Sequence, residues 1–281
     1  MTRLPLTFAI GIALIAAGCP PDRPGDPATP APPDEPEAVC LQGEPFVDSG
    51  NVPLEAPAGG DADRISQLRW ESHEGCERFV IDLVDQDERP AGASGAVSAE
   101  VLRDLGVVRV TLREVEWVDP DATDETFRGP LATAAYAVWA PEGRWVYVDV
   151  HLAEAAEAHV ATLSDPARVV VDLRPGGDPI PEAPPREAAV VVLQPRAGQH
   201  SYPLEVGGYA RTFEANVVVR LEQDGEDVYD EFTTATAWAD AWGHYTFTIS
   251  DGPTGPVTLH VGEYSARDGT WEGVAVRLDM R

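Results

Sequence analysis

The sequence contains no lysine, so all 20 of its basic residues are arginine. Aspartate and glutamate number 48, which leaves a formal net charge of −28. A surface this acidic repels nucleic acid phosphates and anionic lipid headgroups. We therefore expect no nucleic acid partner and no electrostatic docking onto a membrane.

Catalytic signatures are also missing from the chain. It has no Gly-x-Ser-x-Gly elbow, no His-Glu-x-x-His, no Cys-x-x-Cys, no Walker loop and no dinucleotide glycine fingerprint. Six histidines are spread along the chain without the spacing of metal ligands. A triad assembled from distant residues would leave no such motif, but nothing in the sequence points to one. The sequence predicts a protein that is not an enzyme and that holds no cofactor and no metal.

The first nineteen residues are typical of an export signal. Arg3 precedes a mostly apolar run over 4–17, and the small residues at 16–18 lead directly into Cys19. The run is too short to span a bilayer, which takes about 20 apolar residues. Small residues before a cysteine resemble the lipobox of bacterial lipoproteins. That resemblance implies a diacylglyceryl group on the Cys19 thiol and an extracytoplasmic, lipid-anchored location on a bacterial membrane. An ordinary cleaved signal is the alternative.

The segment after Cys19 has almost nothing to bury. Residues 20–39 are dominated by Pro, Asp, Glu and Ala, so they cannot offset the entropy of ordering with a core. We predict a disordered, Pro-rich linker over 20–59. In extended polyproline geometry, at about 3.1 Å per residue, twenty residues would lift a folded body roughly 60 Å from a membrane. A tail without any spacing role is the alternative.

Two further cysteines, Cys40 and Cys76, remain as an even pair. Thiols of exported proteins tend to be oxidised, so the pair predicts a disulfide that joins the end of the linker to the first domain. In the chain-entropy model a loop of this size stabilises the fold by on the order of 4 kcal/mol. Two free thiols are the alternative.

The region 60–175 is predicted to form strands, because β-branched and aromatic residues alternate with polar ones between turn signals. The predicted strands are Arg64–Trp70, Arg78–Leu83, Val107–Trp117, Ala132–Trp139, Arg144–Leu152 and Arg168–Leu173. The segment 153–163 mixes helix-favouring Ala and Glu with strand-favouring residues, and we favour a strand.

Two of these strands carry a family resemblance. Arg-Phe-Val-Ile-Asp-Leu at 78–83 and Pro-Ala-Arg-Val-Val-Val-Asp-Leu at 166–173 resemble the AMIN-like domains of bacterial envelope proteins. The similarity extends over about 62–175. It implies a small β-domain that localises envelope proteins, in some cases by contact with peptidoglycan, and it implies no catalytic residues.

A Pro- and Gly-rich break at 176–186 predicts a hinge, and regularly spaced short strands follow it over 187–281. Seven strands are predicted: Ala188–Leu193, Leu204–Ala210, Ala215–Glu222, Asp227–Thr234, Tyr245–Ser250, Pro256–Ser265 and Trp271–Leu278. This number of strands suggests an immunoglobulin-like sandwich. The predicted fold class is therefore all-β, with an AMIN-like domain followed by a seven-stranded immunoglobulin-like β-sandwich.

A second resemblance is carried by Pro-Leu-Glu-Val-Gly-Gly-Tyr-Ala-Arg-Thr-Phe-Glu-Ala-Asn-Val at 203–217. This run closely resembles the immunoglobulin-like domain of bacterial spore-germination proteins, although Tyr202 stands where that family usually has Ser. The segment 262–269 matches the family's closing hairpin. The resemblance implies an accessory or interaction module without catalytic residues, and it does not by itself imply a role in sporulation.

Candidate binding residues lie in the segment 238–242, between two of the predicted strands. If the rings of Trp238 and Trp242 are both exposed, they form an apolar platform for a sugar, with Asp240 accepting hydrogen bonds from its hydroxyls; burial of both rings in the core is the alternative.

Carboxylates are crowded at 119–125 and 224–227. Such loops resemble Ca²⁺-binding loops in composition, but solvated acidic turns are the reading we adopt.

Together these patterns predict a non-catalytic, lipid-anchored protein of the cell envelope. Its β-domains would act as a binding or targeting module for cell-wall glycan, such as peptidoglycan, or for an envelope protein partner. The alternative is a structural spacer or assembly component of an envelope complex that does not recognise glycan.

Overall fold

β-Structure dominates the part of the chain that the computed structural model describes, which is residues 40, 45–57, 59–141 and 145–281. These residues form twenty strands and three short 3₁₀ turns, and none of them lies in an α-helix. The predicted all-β fold class is confirmed. No described helix is long and apolar enough to cross a membrane.

The N-terminal half of the described chain contributes eleven strands. They are β1 (Gly50–Val52), β2 (Arg64–His73), β3 (Cys76–Val84), β4 (Val97–Leu102), β5 (Val107–Leu112), β6 (Trp117–Val118), β7 (Asp124–Thr126), β8 (Ala132–Trp139), β9 (Val146–Leu152), β10 (Ala156–Leu163) and β11 (Arg168–Pro175).

The C-terminal half contributes nine strands. They are β12 (Arg186–Glu187), β13 (Val190–Gln194), β14 (Gly198–His200), β15 (Leu204–Ala210), β16 (Asn216–Gln223), β17 (Glu226–Thr234), β18 (Trp242–Ile249), β19 (Gly255–Tyr264) and β20 (Trp271–Met280).

One sheet is shared by both halves. Its strand order is β1-β4-β5-β9-β8-β18-β15-β13-β12, with β7 also paired to β8. The connection between the halves is the short parallel pair β8–β18, in which Trp242 lies opposite Val138 and Gly243 opposite Trp139. A second sheet, β10-β11-β3-β2-β6, belongs to the N-terminal half, and a third, β14-β20-β19-β16-β17, belongs to the C-terminal half.

The described residues bury three apolar clusters. One fills the N-terminal half and a second lies between the C-terminal sheets. The third, which we call the join, takes residues from both halves: Val107, Ala134, Tyr136, Val138, Ala140, Tyr147, Val191, Leu193, Tyr209 and Trp242.

Strand β9 shows how the join forms, because it is buried at all seven positions. Successive side chains of a strand point to opposite faces. Val146, Val148 and Val150 therefore pack in the N-terminal core. The alternate residues, beginning with Tyr147 and Asp149, face the join. A strand buried on both faces usually reads as a continuous apolar run, so the polar residues in β9 mark a face that needs hydrogen-bonding partners.

The strand predictions agree closely with the structure in most places. Ala132–Trp139 is matched residue for residue by β8, and the ambiguous segment 153–163 contains strand β10. The predicted strand Val107–Trp117 is wrong in its length, because β5 ends at Leu112 and a bend separates it from β6.

The predicted linker 20–59 extends too far toward the C-terminus. Residues 50–52 form strand β1, which pairs with β4, and Val52 is buried in the N-terminal core. Val47 also exchanges backbone hydrogen bonds with Ala158. The folded structure therefore begins before residue 60, because apolar residues at 46–54 have a core to enter. Residues 20–39 lie outside the described residues.

The proposed division of the chain at 176–186 stays a prediction. In the structure, Ile180 packs against the N-terminal core, and Asp178 accepts a hydrogen bond from Arg103 at 2.6 Å. The described residues from Cys40 to Arg281 belong to one compact unit. The segment is thus fastened to the body of the protein along part of its length.

The predicted disulfide between Cys40 and Cys76 is confirmed. The two Cα atoms are 6.4 Å apart and the cysteines are separated by 36 positions in sequence. Cys76 begins β3, so the bond holds the start of the described chain against the N-terminal sheets.

Candidate interaction site

The site is built on the join, because the join fixes the loop that follows β17. Trp242 is 2% exposed, and its Nε1 donates to Oδ1 of Asp124 at 3.0 Å. The indole packs edge-on against Tyr136, with ring centroids 5.0 Å apart. Arg211 donates to the same Asp124 oxygen at 2.9 Å and places its guanidinium 4.7 Å from the indole centroid. The C-terminal half is therefore held to β7 and β8 by hydrogen bonds as well as by apolar contact.

A buried polar network lies in the same join. Asp149 is fully buried and receives two hydrogen bonds from Arg109, both at 2.7 Å. The hydroxyl of Tyr209 donates to Oδ2 of Asp149 at 2.5 Å. Burial raises the pKa of Tyr209, so its hydroxyl keeps the proton that it donates. A buried carboxylate is costly unless it is paired and hydrogen-bonded, and here Asp149 has both kinds of partner.

His151 completes this network. Its Nε2 lies 3.1 Å from the hydroxyl oxygen of Tyr209. Because that hydroxyl proton is directed at Asp149, we assign the Nε2 proton to His151 as the donor. Burial lowers the pKa of His151 to about 3, so the imidazole is neutral at physiological pH. Asp149, His151 and Tyr209 are all closed to solvent, and the network therefore holds the halves together without offering a surface to a ligand.

An exposed pair of aromatic rings lies on the C-terminal half. Phe213 and Trp238 are each 53% exposed. Their rings meet edge to face, with centroids 6.1 Å apart and planes at 86°. We call this pair the aromatic tip. Aromatic side chains usually contribute most when buried, so two large rings that touch each other and remain half in water are a candidate binding surface.

The turn that follows Phe213 has an uncommon backbone conformation. Glu214 and Ala215 both adopt positive φ, at 54° and 60°, and each non-glycine residue in that region costs roughly 1–2 kcal/mol. Surrounding bonds hold the turn in place: Phe213 N–H donates to Glu263 Oε2 at 2.7 Å, and Ala235 N–H donates to the Ala215 carbonyl at 2.9 Å. Strain of this kind concentrates at functional sites, and here it presents the Phe213 ring to solvent.

The loop that carries Trp238 is fixed just as firmly. Thr236 donates its hydroxyl to the Trp139 carbonyl at 2.7 Å and accepts from His244 N–H at 2.8 Å. Gly243 lies so close beneath the loop that an added Cβ would collide with the backbone of Ala237. The Trp238 side of the aromatic tip therefore sits on a loop that is anchored to both halves of the protein.

The predicted platform of Trp238, Asp240 and Trp242 is wrong in its pairing of two exposed tryptophans, and ligand binding there stays a prediction. Trp238 and Asp240 are exposed, but Trp242 is buried because its indole N–H and ring find partners in the join. The second exposed ring is Phe213, which lies 25 positions earlier in sequence. One feature of the sequence indicates Phe213: it is a large apolar residue in a turn between two predicted strands, where small or polar residues are usual.

The other predicted residues divide between confirmed and undescribed ones. Cys40 and Cys76 are bonded to each other, whereas Cys19 lies outside the described residues. In the first acidic loop, Asp124 accepts a hydrogen bond from Arg211 beside the join. In the second, Asp227 accepts a hydrogen bond from Arg220 at 2.9 Å. Within the described ranges, no three His, Cys, Asp or Glu side chains converge as a group that could hold a metal ion.

Comparison with known proteins supports the second of the two resemblances. No curated protein matches the chain. Residues 189–270 match the model of a family described as the immunoglobulin-like domain of bacterial spore germination, a non-catalytic type of domain. The match includes β13 to β19 and both rings of the aromatic tip, so the expected resemblance of 187–281 is confirmed over most of that range.

Proposed function

We propose that the chain is a non-catalytic, lipid-anchored protein of the bacterial cell envelope, and that it binds cell-wall glycan through the aromatic tip. The observation that carries the proposal is the pair Phe213 and Trp238, half exposed within a domain of non-catalytic type. The AMIN-like resemblance of 62–175 adds a second envelope-targeting feature to the same chain.

Glycan fits the chemistry of the tip. Flat apolar rings cover the C–H faces of a pyranose, and a small number of polar groups then fix its orientation. Asp240, two positions from Trp238, is exposed and offers acceptor oxygens for hydroxyl groups. The strongly acidic surface disfavours an anionic ligand, whereas neutral amino-sugar units carry no charge to repel.

Retention on insoluble peptidoglycan tests the glycan proposal. The full chain, purified from membranes in detergent, should sediment with peptidoglycan, and Phe213→Ala and Trp238→Ala should each lose most of this retention, about tenfold in apparent affinity. Trp117→Ala is the matched control, because Trp117 is 57% exposed but lies in the N-terminal half. Melting temperatures of all variants establish that they are folded.

Two results would contradict glycan binding at the tip. Retention that is unchanged in both tip variants would place the contact elsewhere, and a wild-type chain that stays in the supernatant would remove glycan as the ligand. Co-purification of an envelope protein with such an unretained chain would support the partner-binding form of the proposal.

The anchor is tested separately at Cys19. The small residues before Cys19 and the Pro-rich segment after it support lipidation and a stalk. Mass spectrometry of the mature N-terminus from native membranes should find Cys19 as the first residue, carrying diacylglyceryl. An N-terminus elsewhere, or an unmodified thiol, would contradict the anchor and leave glycan binding to its own test.

A structural spacer is the second candidate function, and the join favours it. One continuous sheet and a buried network fasten the two halves together, which suits a rigid strut as well as a binding module. In that case the tip variants would change neither wall retention nor partner capture.

A further inference from the structure

Strand β17 lies at an open edge of the C-terminal sheet. It is last in the strand order, next to β16, and seven of its nine residues are exposed. Alternate backbone N–H and C=O groups of an edge strand point away from the sheet and can pair with another strand. β17 therefore presents a row of main-chain donors and acceptors over most of its length.

The inner face of β17 keeps the strand in place. Tyr229 packs against Phe247 of β18, with ring centroids 6.3 Å apart. The Thr233 hydroxyl donates to the Thr246 carbonyl at 3.0 Å. An edge held in this way is already extended before a partner arrives, which lowers the entropy cost of pairing.

The outer face of β17 has only part of the usual protection of a sheet edge. Val228 and Phe232 are 45% and 64% exposed. Phe232 lies on the same face as Asp230, because residues two apart in a regular strand share a face, whereas Val228 is the extra residue at a register shift between β17 and β16. Natural edges are commonly blunted by lysine, proline or bulges. β17 has no lysine and no proline, and its one register shift against β16 lies near its start, at Val228. An exposed phenylalanine and valine on an edge strand instead offer apolar contacts to alternate side chains of an added strand.

The negative charge of β17 indicates which kind of partner strand it would bind. The strand carries four carboxylates and no basic residue. Asp227 is paired with Arg220, whereas Glu226, Asp230 and Glu231 form no ion pair within the described part of the chain. Like charges opposite each other destabilise a strand pair, so a second copy of this acidic chain is a poor occupant. An extended segment rich in Lys or Arg is favoured by both its charge and its shape.

We propose that β17 is a strand-addition site for an extended basic segment of a partner protein. The segment pairs main chain to main chain with residues 227–233. Its apolar residues contact Phe232 on the outer face and Val228 at the register shift, and a basic residue between them contacts Asp230. On the other face a second basic residue contacts Glu231. This surface is separate from the aromatic tip and does not depend on glycan binding.

A designed probe peptide tests the proposal. The capped peptide Thr-Val-Lys-Lys-Thr-Val-Lys, laid antiparallel, places Val opposite Phe232 and Val228 and Lys opposite Glu231 and Asp230. Its fluorescently labelled form is titrated with the full chain at low ionic strength. The comparison peptide has the same side chains, but alternate backbone amides are N-methylated, which keeps the charge and removes the donors of strand pairing.

The expected result is saturable binding of the first peptide, about tenfold or more tighter than that of the methylated one, a ratio equal to about 1.4 kcal/mol. Asp230→Lys should weaken binding about tenfold, and Phe232→Thr, which keeps a strand-favouring residue, should weaken it several-fold. Glu116→Lys makes the same charge change at an exposed position in the N-terminal half and is the matched control.

Three outcomes would overturn the proposal: no saturable binding, equal binding of the two peptides, or equal weakening by Asp230→Lys and Glu116→Lys. The last two would mean that the peptide responds only to overall charge. Phe213→Ala and Trp238→Ala should leave peptide binding unchanged, so failure here is distinguishable from failure of the glycan proposal.

Discussion

At the scale of single residues, His151 reports on the strength of the join. It is fully enclosed, and burial lowers the pKa of its imidazole to about 3, with three nearby arginines lowering it further and Asp149 opposing them. An unfolded chain would protonate the same residue near pH 6.5. The folded protein therefore excludes a proton that the unfolded protein accepts over about three pH units.

This difference predicts a loss of stability in mild acid. Between pH 6.5 and 3 the unfolded state binds the extra proton, so the free energy of unfolding falls as pH falls, by up to about 1.4 kcal/mol per unit. His151→Gln keeps a donor for Tyr209 and binds no proton. We expect its free energy of unfolding, measured by denaturant titration between about pH 7 and pH 5, to vary less steeply with pH than the wild-type value.

The pH range is chosen to stay above the titration of most carboxylates, which lies near pH 4. His73→Gln removes a histidine that is partly exposed, unlike His151, and serves as the matched control. Equal slopes for the wild-type protein and His151→Gln would mean that the imidazole is not enclosed as the structure has it.

At the scale of elements, local pattern was enough to predict most strands. Alternation and β-branched residues predict β8 residue for residue, and the strand pattern of 187–281 predicts β15 and β16 to within one residue at each end. The sequence pattern does not predict strand β4, and it predicts too long a strand at β5. Both errors arise from short strands whose ends are set by neighbouring strands and by loop packing, which local alternation does not contain.

Pairing between distant strands could not be read from the sequence. Nothing near residue 138 or residue 242 indicates that β8 and β18 lie side by side. The burial of Trp242 follows from that pairing, because the pairing brings Asp124 and Tyr136 to the indole. The sequence therefore predicts only part of the candidate site. It identifies the loop of Trp238, but the contact of Trp238 with Phe213 depends on tertiary structure.

At the scale of the whole molecule, the shared sheet and the join imply that the two halves unfold together. A boundary crossed only by a flexible linker would let each domain melt independently. Here β8 pairs directly with β18, and residues from both halves fill one buried cluster. Loss of either half would expose that cluster, and loss of the C-terminal half would also leave Asp149 without the Tyr209 hydroxyl.

Trp242→Ala tests this coupling. Removing a buried tryptophan costs about 3–5 kcal/mol, and because Trp242 touches strands of both halves, that cost should appear in both. We expect one calorimetric transition for the wild-type protein and a lower melting temperature for the variant. Amide exchange should also accelerate in β8 and β9 as well as in β15 and β18.

Trp238→Ala, a change at an exposed ring, is the control and should shift the free energy of unfolding by no more than about 0.5 kcal/mol. Faster exchange confined to β15 and β18 would show that the N-terminal half stands alone and that the shared sheet contributes little to its stability.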